Sequence, residues 1–159
     1  MVEKSGDSAV VILMSSKLSG TYQSAVMAAA GDYDNIYIVD SLNVTVGEQC
    51  LVLYAMKLRD KGLSAKEIAD EIDAIKGNVK VIALLNTLEY LKKGGRISAS
   101  AALAGGLLSI KPVVAVENGE VVILGKARGS KNGNNMLREL IEKSGGIDFD
   151  MPILLGYTG

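Results

Sequence analysis

Residues 15–25 read SSKLSGTYQSA, a stretch that concentrates more hydrogen-bonding chemistry than any other in the chain. Ser16, Ser19 and Thr21 supply hydroxyl donors, and Gly20 lets the backbone come close to a ligand. The stretch follows an unbroken apolar run, Ala9–Met14, and ends in residues that suit a helix start. A strand, a small hydroxyl-rich turn and a helix, in that order, present backbone N–H groups and the positive end of a helix dipole. Such a turn suits a small anion, either carboxylate or phosphate. Plain capping is the competing reading, with Ser19 as N-cap of a helix over Gly20–Ala30. Four hydroxyl residues and a glycine packed into residues 15–21 tilt the balance toward binding.

Two arginines form a second group of candidates. In NTLEYLKKGGRIS, residues 86–98, Gly94 and Gly95 end a helix and expose Arg96 on a tight turn. Arg128 follows the second strand of a hairpin, in Lys126-Ala127-Arg128-Gly129. A guanidinium held on a rigid turn recognises phosphate or carboxylate in bidentate fashion. Taken singly, each is equally an ordinary surface arginine. They fall in a basic region: residues 87–131 hold seven Lys or Arg against three acidic residues, whereas the formal net charge is −1. A local positive excess recruits an anionic ligand or an acidic partner, or is simply a solvated surface.

The elements that must position these groups alternate as in an α/β fold. Ala9–Met14 and Ile36–Val39 read as buried strands flanking the helix after the hydroxyl turn, a βαβ unit with a parallel sheet. Asp40 and Ser41 stand at the end of the second strand, where ligands of open α/β sheets gather. A helix follows over about Val46–Lys61. Ser64 and Glu67 make a capping-box pattern for another over Ala65–Ile75. The helix break at Lys61-Gly62 is read as a domain change, dividing the chain into a unit of residues 1–62 and one of residues 63–159. In the second, Lys80–Leu85 reads as a strand, Leu88–Lys92 as a short helix and Ser100–Leu108 as an Ala/Leu-rich helix. Asn118-Gly119 between Pro112–Glu117 and Glu120–Leu124 signals a hairpin. A helix over Asn134–Lys143 and a strand over Pro152–Gly156 complete the reading. Met1–Ser5 looks like the tail of a helix and residues 157–159 follow a strand directly, so the sequence reads as truncated at both ends.

Composition excludes several classes. The chain has 159 residues, 48% of them hydrophobic but only 4% aromatic, so its core is aliphatic. It has no histidine, which removes His-based triads, His-liganded zinc and histidine acid–base catalysis within these residues. Cys50 is the single cysteine, fits a reducing cytosol and reads as buried filler in an apolar helix. There is no dinucleotide fingerprint, no P-loop and no metal-ligand spacing. The near-zero net charge does not suit a nucleic-acid binder, and no apolar run reaches the roughly 20 residues a membrane span requires.

Taken together, SSKLSGTYQSA, VDSLNVTVGEQ, NTLEYLKKGGRIS, LLSIKPVVAVENGEV and GKARGSK resemble the DegV family of bacterial fatty-acid-binding proteins, over nearly all of the chain. The resemblance implies a two-subdomain α/β fold that encloses a long-chain fatty acid. It also implies a carrier that is not itself an enzyme, needs no cofactor, works in the cytoplasm and presents the lipid carboxylate to a fatty acid kinase. It assigns the carboxylate to Ser16, Ser19, Gly20 and Thr21, and gives Arg96 and Arg128 to the surface used with the kinase and phosphate. The alternating small and large residues of Ala101–Leu108 suit the wall of an acyl-chain pocket, with Leu103, Leu107 and Ile110 as tail contacts; core packing explains them equally well. The family's opening strand, its Thr-Ser-Gln-Pro-like segment and its C-terminal helices have no counterpart here, and Tyr157 stands where members often have histidine. The alternative from another class is an enzyme acting on a small phosphorylated or carboxylated substrate, with Arg96 and Arg128 as anion clamps. A third is an interaction module. The absence of an activated nucleophile or base weighs against the enzyme.

Overall fold

Ala9–Leu13, centred on the β-branched run Val10-Val11-Ile12, form strand β1, which pairs in parallel with β2, Ile36–Asp40. The computed structural model describes residues 6–31, 33–98 and 110–157. Helix α1, Thr21–Ala29, joins the two strands, as the βαβ pattern requires. Helices α2, Val46–Asp60, and α3, Ala65–Ile75, follow, and a single turn of 3₁₀ helix over Lys76–Asn78 closes the run.

Period-two alternation puts Val10, Ile12, Tyr37 and Val39 on one face of this sheet. There they pack with Leu51 and Leu58 of α2 and with Ile68, Ala69 and Ile72 of α3. The opposite face carries Val11, Ile38, Leu13 and Asp40 and lies against α1, which buries no residue of its own. The two strands are therefore not buried throughout, as their apolar runs suggested. Every residue of β1 is half-exposed, and only Val39 of β2 is buried.

The α3 start follows its sequence signature. The Ser64 hydroxyl accepts the Glu67 N–H, and the Glu67 carboxylate accepts the Ser64 N–H at 2.8 Å. At the end of α2, Gly62 takes a left-handed conformation (φ 88°), and the Leu63 N–H reaches back to the Leu58 carbonyl.

The chain divides into two units. The first comprises residues 1–79 with 150–159, and the second residues 80–149. A division at Gly62 falls between α2 and α3, two helices that share one apolar cluster, so α3 belongs with the first unit. The first unit is thus discontinuous in sequence. Its last segment runs antiparallel to α2: the Asp150 carbonyl accepts from Lys57 Nζ, and Gly156 lies beside Val46. Among the described residues this segment forms no strand. Pro152–Gly156 has a strand-like composition but no ladder partner, and it lies along a helix instead.

In the second unit β3, Val81–Leu84, β4, Ile110–Glu117, and β5, Glu120–Arg128, form an antiparallel sheet in that order. Asn118 and Gly119 both have positive φ (49° and 84°), the geometry of the favoured two-residue hairpin turn. β5 runs four residues past Leu124, because Leu124 is the extra residue of a bulge opposite Val113 and Val114 and pairing resumes at Gly125. A Cβ at Gly125 would stand 2.6 Å from the Met136 sulfur, so the glycine serves close packing. Short helix α4, Glu89–Lys93, follows β3, and α5, Gly129–Lys143, lies across the sheet. α5 starts five residues before its expected position. Its polar, glycine-containing first turns are poor helix formers, but Gly133 packs directly onto Leu84, and tertiary contact overrides propensity. The expected helix Ser100–Leu108 lies outside the described residues.

Candidate anion-binding turn

The hydroxyl turn is built by cross-bracing two loops that leave the same end of the parallel pair. The Ser41 N–H donates to the Leu13 carbonyl at 3.0 Å and the Ser15 N–H to the Asn43 carbonyl at 2.8 Å. Asp40 Oδ1 accepts two amides, Ser16 N–H at 3.1 Å and Leu42 N–H at 3.0 Å. Beneath them lie three buried polar residues, Ser15, Ser41 and Asn43, none more than 2% exposed. Asn43 Nδ2 faces the carbonyls of Ser41, Lys76 and Val79, which ties the loop to the end of α3. The loop before α2 also carries two non-glycine residues at positive φ, Leu42 (49°) and Thr45 (54°). Such a conformation in β-branched Thr45 costs roughly 1–3 kcal/mol. The surrounding network holds it in place.

On that base the turn itself is open. The Ser15 carbonyl accepts from Leu18 N–H and Ser19 N–H, both at 3.0 Å, and this bends the chain toward α1. Ser19 Oγ and Thr21 Oγ1 are hydrogen-bonded to each other at 2.7 Å, which holds the two hydroxyls side by side at the surface. Gly20 occupies the N-cap position, and no side chain caps the helix. The capping alternative is therefore only partly realised: the Ser19 hydroxyl accepts the Thr21 N–H at 3.3 Å, one residue too early for a regular N-cap. Ser16 and Ser19 are half-buried, and Gly20 and Thr21 are exposed. The four residues chosen from the sequence thus form one continuous surface feature. What the sequence did not reveal is the underlying brace of Ser15, Asp40, Ser41 and Asn43. The Asp-Ser pair at the end of β2 was the one visible signal.

The second unit holds the arginines on local turns. Gly95 (φ 72°) closes α4, with Arg96 N–H donating to the Leu91 carbonyl and Gly95 N–H to that of Lys92. The Arg96 guanidinium bends back onto the Gly94 carbonyl, so the side chain stays at the turn and is exposed. Arg128 ends β5 directly opposite Ile110, which puts the two side chains on one face of the hairpin. Ile110 is half-buried and Arg128 exposed. Leu103 and Leu107 lie outside the described residues. Cys50 is half-buried; burial pushes its thiol up, partly offset by a hydrogen bond with the Leu154 backbone, as suits an unreactive side chain. Burial likewise pushes up the Glu48 carboxyl, in the first turn of α2. Among the described residues no acidic, histidine or cysteine group could hold a metal ion, and no helix is long and apolar enough to cross a membrane.

A parallel βαβ unit with a braced hydroxyl turn, joined in sequence to an antiparallel sheet with a covering helix, defines a class of two-unit α/β proteins with a hydroxyl-rich strand end. Comparison with known proteins narrows the class. The chain belongs to the DegV family, whose model matches residues 1–159. It is 37% identical over 147 residues to a DegV domain-containing protein of Caldanaerobacter subterraneus, covering 92% of this chain and 52% of that protein. Among solved structures, it resembles a Eubacterium eligens DegV family protein loaded with heptadecanoic acid (TM-score 0.79, 25% identity, 87% of this chain and 52% of that one). It also resembles the Streptococcus pneumoniae fatty acid kinase B3 protein loaded with linoleic acid (TM-score 0.78, 31% identity, 86% and 50%). The chain thus spans about half the length of the relatives it matches.

Proposed function

We propose that the protein binds a long-chain fatty acid non-covalently, works in the cytoplasm as a carrier and not a catalyst, and presents the lipid carboxylate to a fatty acid kinase. The observation that carries this reading is the start of α1, which no side chain caps and which the mutually hydrogen-bonded hydroxyls of Ser19 and Thr21 flank, in a chain similar to fatty-acid-loaded proteins. In this reading Ser16, Ser19 and Thr21 donate to the carboxylate, and Gly20 gives it access to the first turn of α1. Leu103, Leu107 and Ile110 contact the acyl chain. Arg96 and Arg128 serve the kinase complex, where positioned guanidinium groups offset the negative charge of a phosphate transfer.

Calorimetry on the full-length protein tests the turn. Each charge-assisted hydrogen bond contributes roughly 1.5–3 kcal/mol, so the double variant Ser19→Ala/Thr21→Ala loses at least about tenfold in fatty-acid affinity. Unchanged affinity removes the turn from the site.

A further inference from the structure

Asp40 sets a carboxylate against the backbone of the turn that, on the reading above, receives a carboxylate. Its Oδ1 takes both the Ser16 and the Leu42 amides, and Asp40 is only half-buried. A neutral carbonyl oxygen could accept the same two amides, though less strongly, so the geometry of the brace does not require the charge. The charge nevertheless has a consequence. The Ser16 N–H is engaged and points at an anion, so the turn offers hydroxyls on a negatively charged support. Phosphate sites at helix starts instead gather several backbone N–H groups around the ligand. Lys17 is the single charged side chain within residues 15–25, and it is exposed.

We infer that Asp40 is the specificity-determining residue of the hydroxyl turn: its charge, held against Ser16, admits singly charged head groups and disfavours doubly charged phosphates. The inference rests on the turn being the carboxylate site. A fatty acid carries one negative charge at neutral pH, whereas a phosphate monoester carries nearly two. The turn therefore holds the carboxylic acid and loosens its grip on a head group that bears a terminal phosphate.

The test is a titration of the full-length protein with three ligands of equal chain length: a saturated long-chain fatty acid, the alkyl phosphate, and the methyl ester of that phosphate, which carries a single charge. Wild-type protein should bind the dianionic phosphate about tenfold more weakly than its larger methyl ester, a sign opposite to that expected from size. Asp40→Asn keeps an oxygen for both amides and removes the charge, so it should bind the dianion much more tightly, the fatty acid slightly more tightly, and close that gap. Asp40→Ala removes the acceptor as well and should weaken all three ligands. A gap that survives in Asp40→Asn overturns the assignment. So does a wild-type protein that binds the dianion as tightly as the ester, a result that needs no variant to fold. If Ser19→Ala/Thr21→Ala binds fatty acid as the wild type does, the turn reading falls and this inference falls with it. If that double variant is impaired while the Asp40→Asn gap is unaltered, only the inference about Asp40 fails.

Discussion

The hydroxyl turn of the first unit and the arginine turns of the second both present groups suited to anions, but they are built in opposite ways. The hydroxyl turn stands on buried Ser15, Ser41 and Asn43 and is braced by hydrogen bonds between two strand-end loops far apart in sequence. Each arginine depends on its own turn: Arg96 on the glycine closure of α4, Arg128 on the end of β5. A polar network with its members buried is costly to break, and it fixes its loops in one geometry. An exposed guanidinium on a local turn contributes little to the fold and keeps its charge available to a partner. The difference separates a turn whose shape is fixed by the fold from arginines whose side chains rest on local turns.

That contrast can be broken at either end. The largest expected effect on stability is at Asn43, where Asn43→Ala leaves the Lys76 and Val79 carbonyls without their side-chain donor and should cost about 2 kcal/mol in urea denaturation. A loss under about 0.5 kcal/mol, the range of an ordinary surface substitution, would mean that the brace does not matter. Arg96→Ala or Arg128→Ala should leave stability and fatty-acid binding unchanged while slowing acyl-phosphate formation by the cognate kinase about tenfold, the scale of one charge-assisted hydrogen bond. Lysine should rescue only in part, because a point charge lacks the planar fork. Should Arg96→Ala abolish lipid binding instead, the residue belongs to the pocket and the contrast is wrong.

A smaller effect is expected at Gly95, where φ is 72°. Gly95→Ala should cost about 1 kcal/mol by thermal melting and misdirect Arg96 without touching the hydroxyl turn. The smallest effect is at Glu67. The Ser64 hydroxyl and amide hold its carboxyl below the ordinary carboxylate range. A lowered folded-state pKa gives stability that is present above the unfolded value and lost as pH falls through the folded one. Stability curves of wild type and Glu67→Gln should therefore be fully separated above the ordinary carboxylate range and converge as pH falls from there through the lowered folded value. Curves that run parallel throughout would show that the cap is not ionically assisted.

Local signals were legible in the sequence where one short motif determines one structure. Ser64 with Glu67 gave the start of α3, and Asn118-Gly119 gave the hairpin turn, because capping and left-handed turn conformations depend on a few adjacent residues. The alternation of β1, α1 and β2 was equally plain. Reading failed where distant neighbours decide. The strand expected over Glu120–Leu124 continues past a bulge at Leu124 because pairing with β4 resumes at Gly125, and the helix expected over Asn134–Lys143 starts earlier because Gly133 packs on Leu84. Pro152–Gly156 has a strand's composition, but a strand needs a neighbour, and this segment lies beside α2. In the candidate turn, residue type alone singled out Ser16, Ser19, Gly20 and Thr21 for proposal. The double acceptor role of Asp40 could not be read that way, since it joins residues 16 and 42 through space.

The discontinuity of the first unit bears on the order in which the protein is made. Residues 80–149 are contiguous and can complete their sheet as soon as α5 has left the ribosome. The first unit, although its strands emerge earlier, gains the segment beside α2 only after the whole of the second unit has been synthesised. Closing so long an intervening stretch costs entropy that grows only slowly with length, so an already folded insert adds little to the thermodynamic cost. The larger effect is on timing. The contacts that residues 150–157 make beside α2 therefore form only after residues 80–149 have been made, so this edge of the first unit matures later than the sheet it adjoins in sequence.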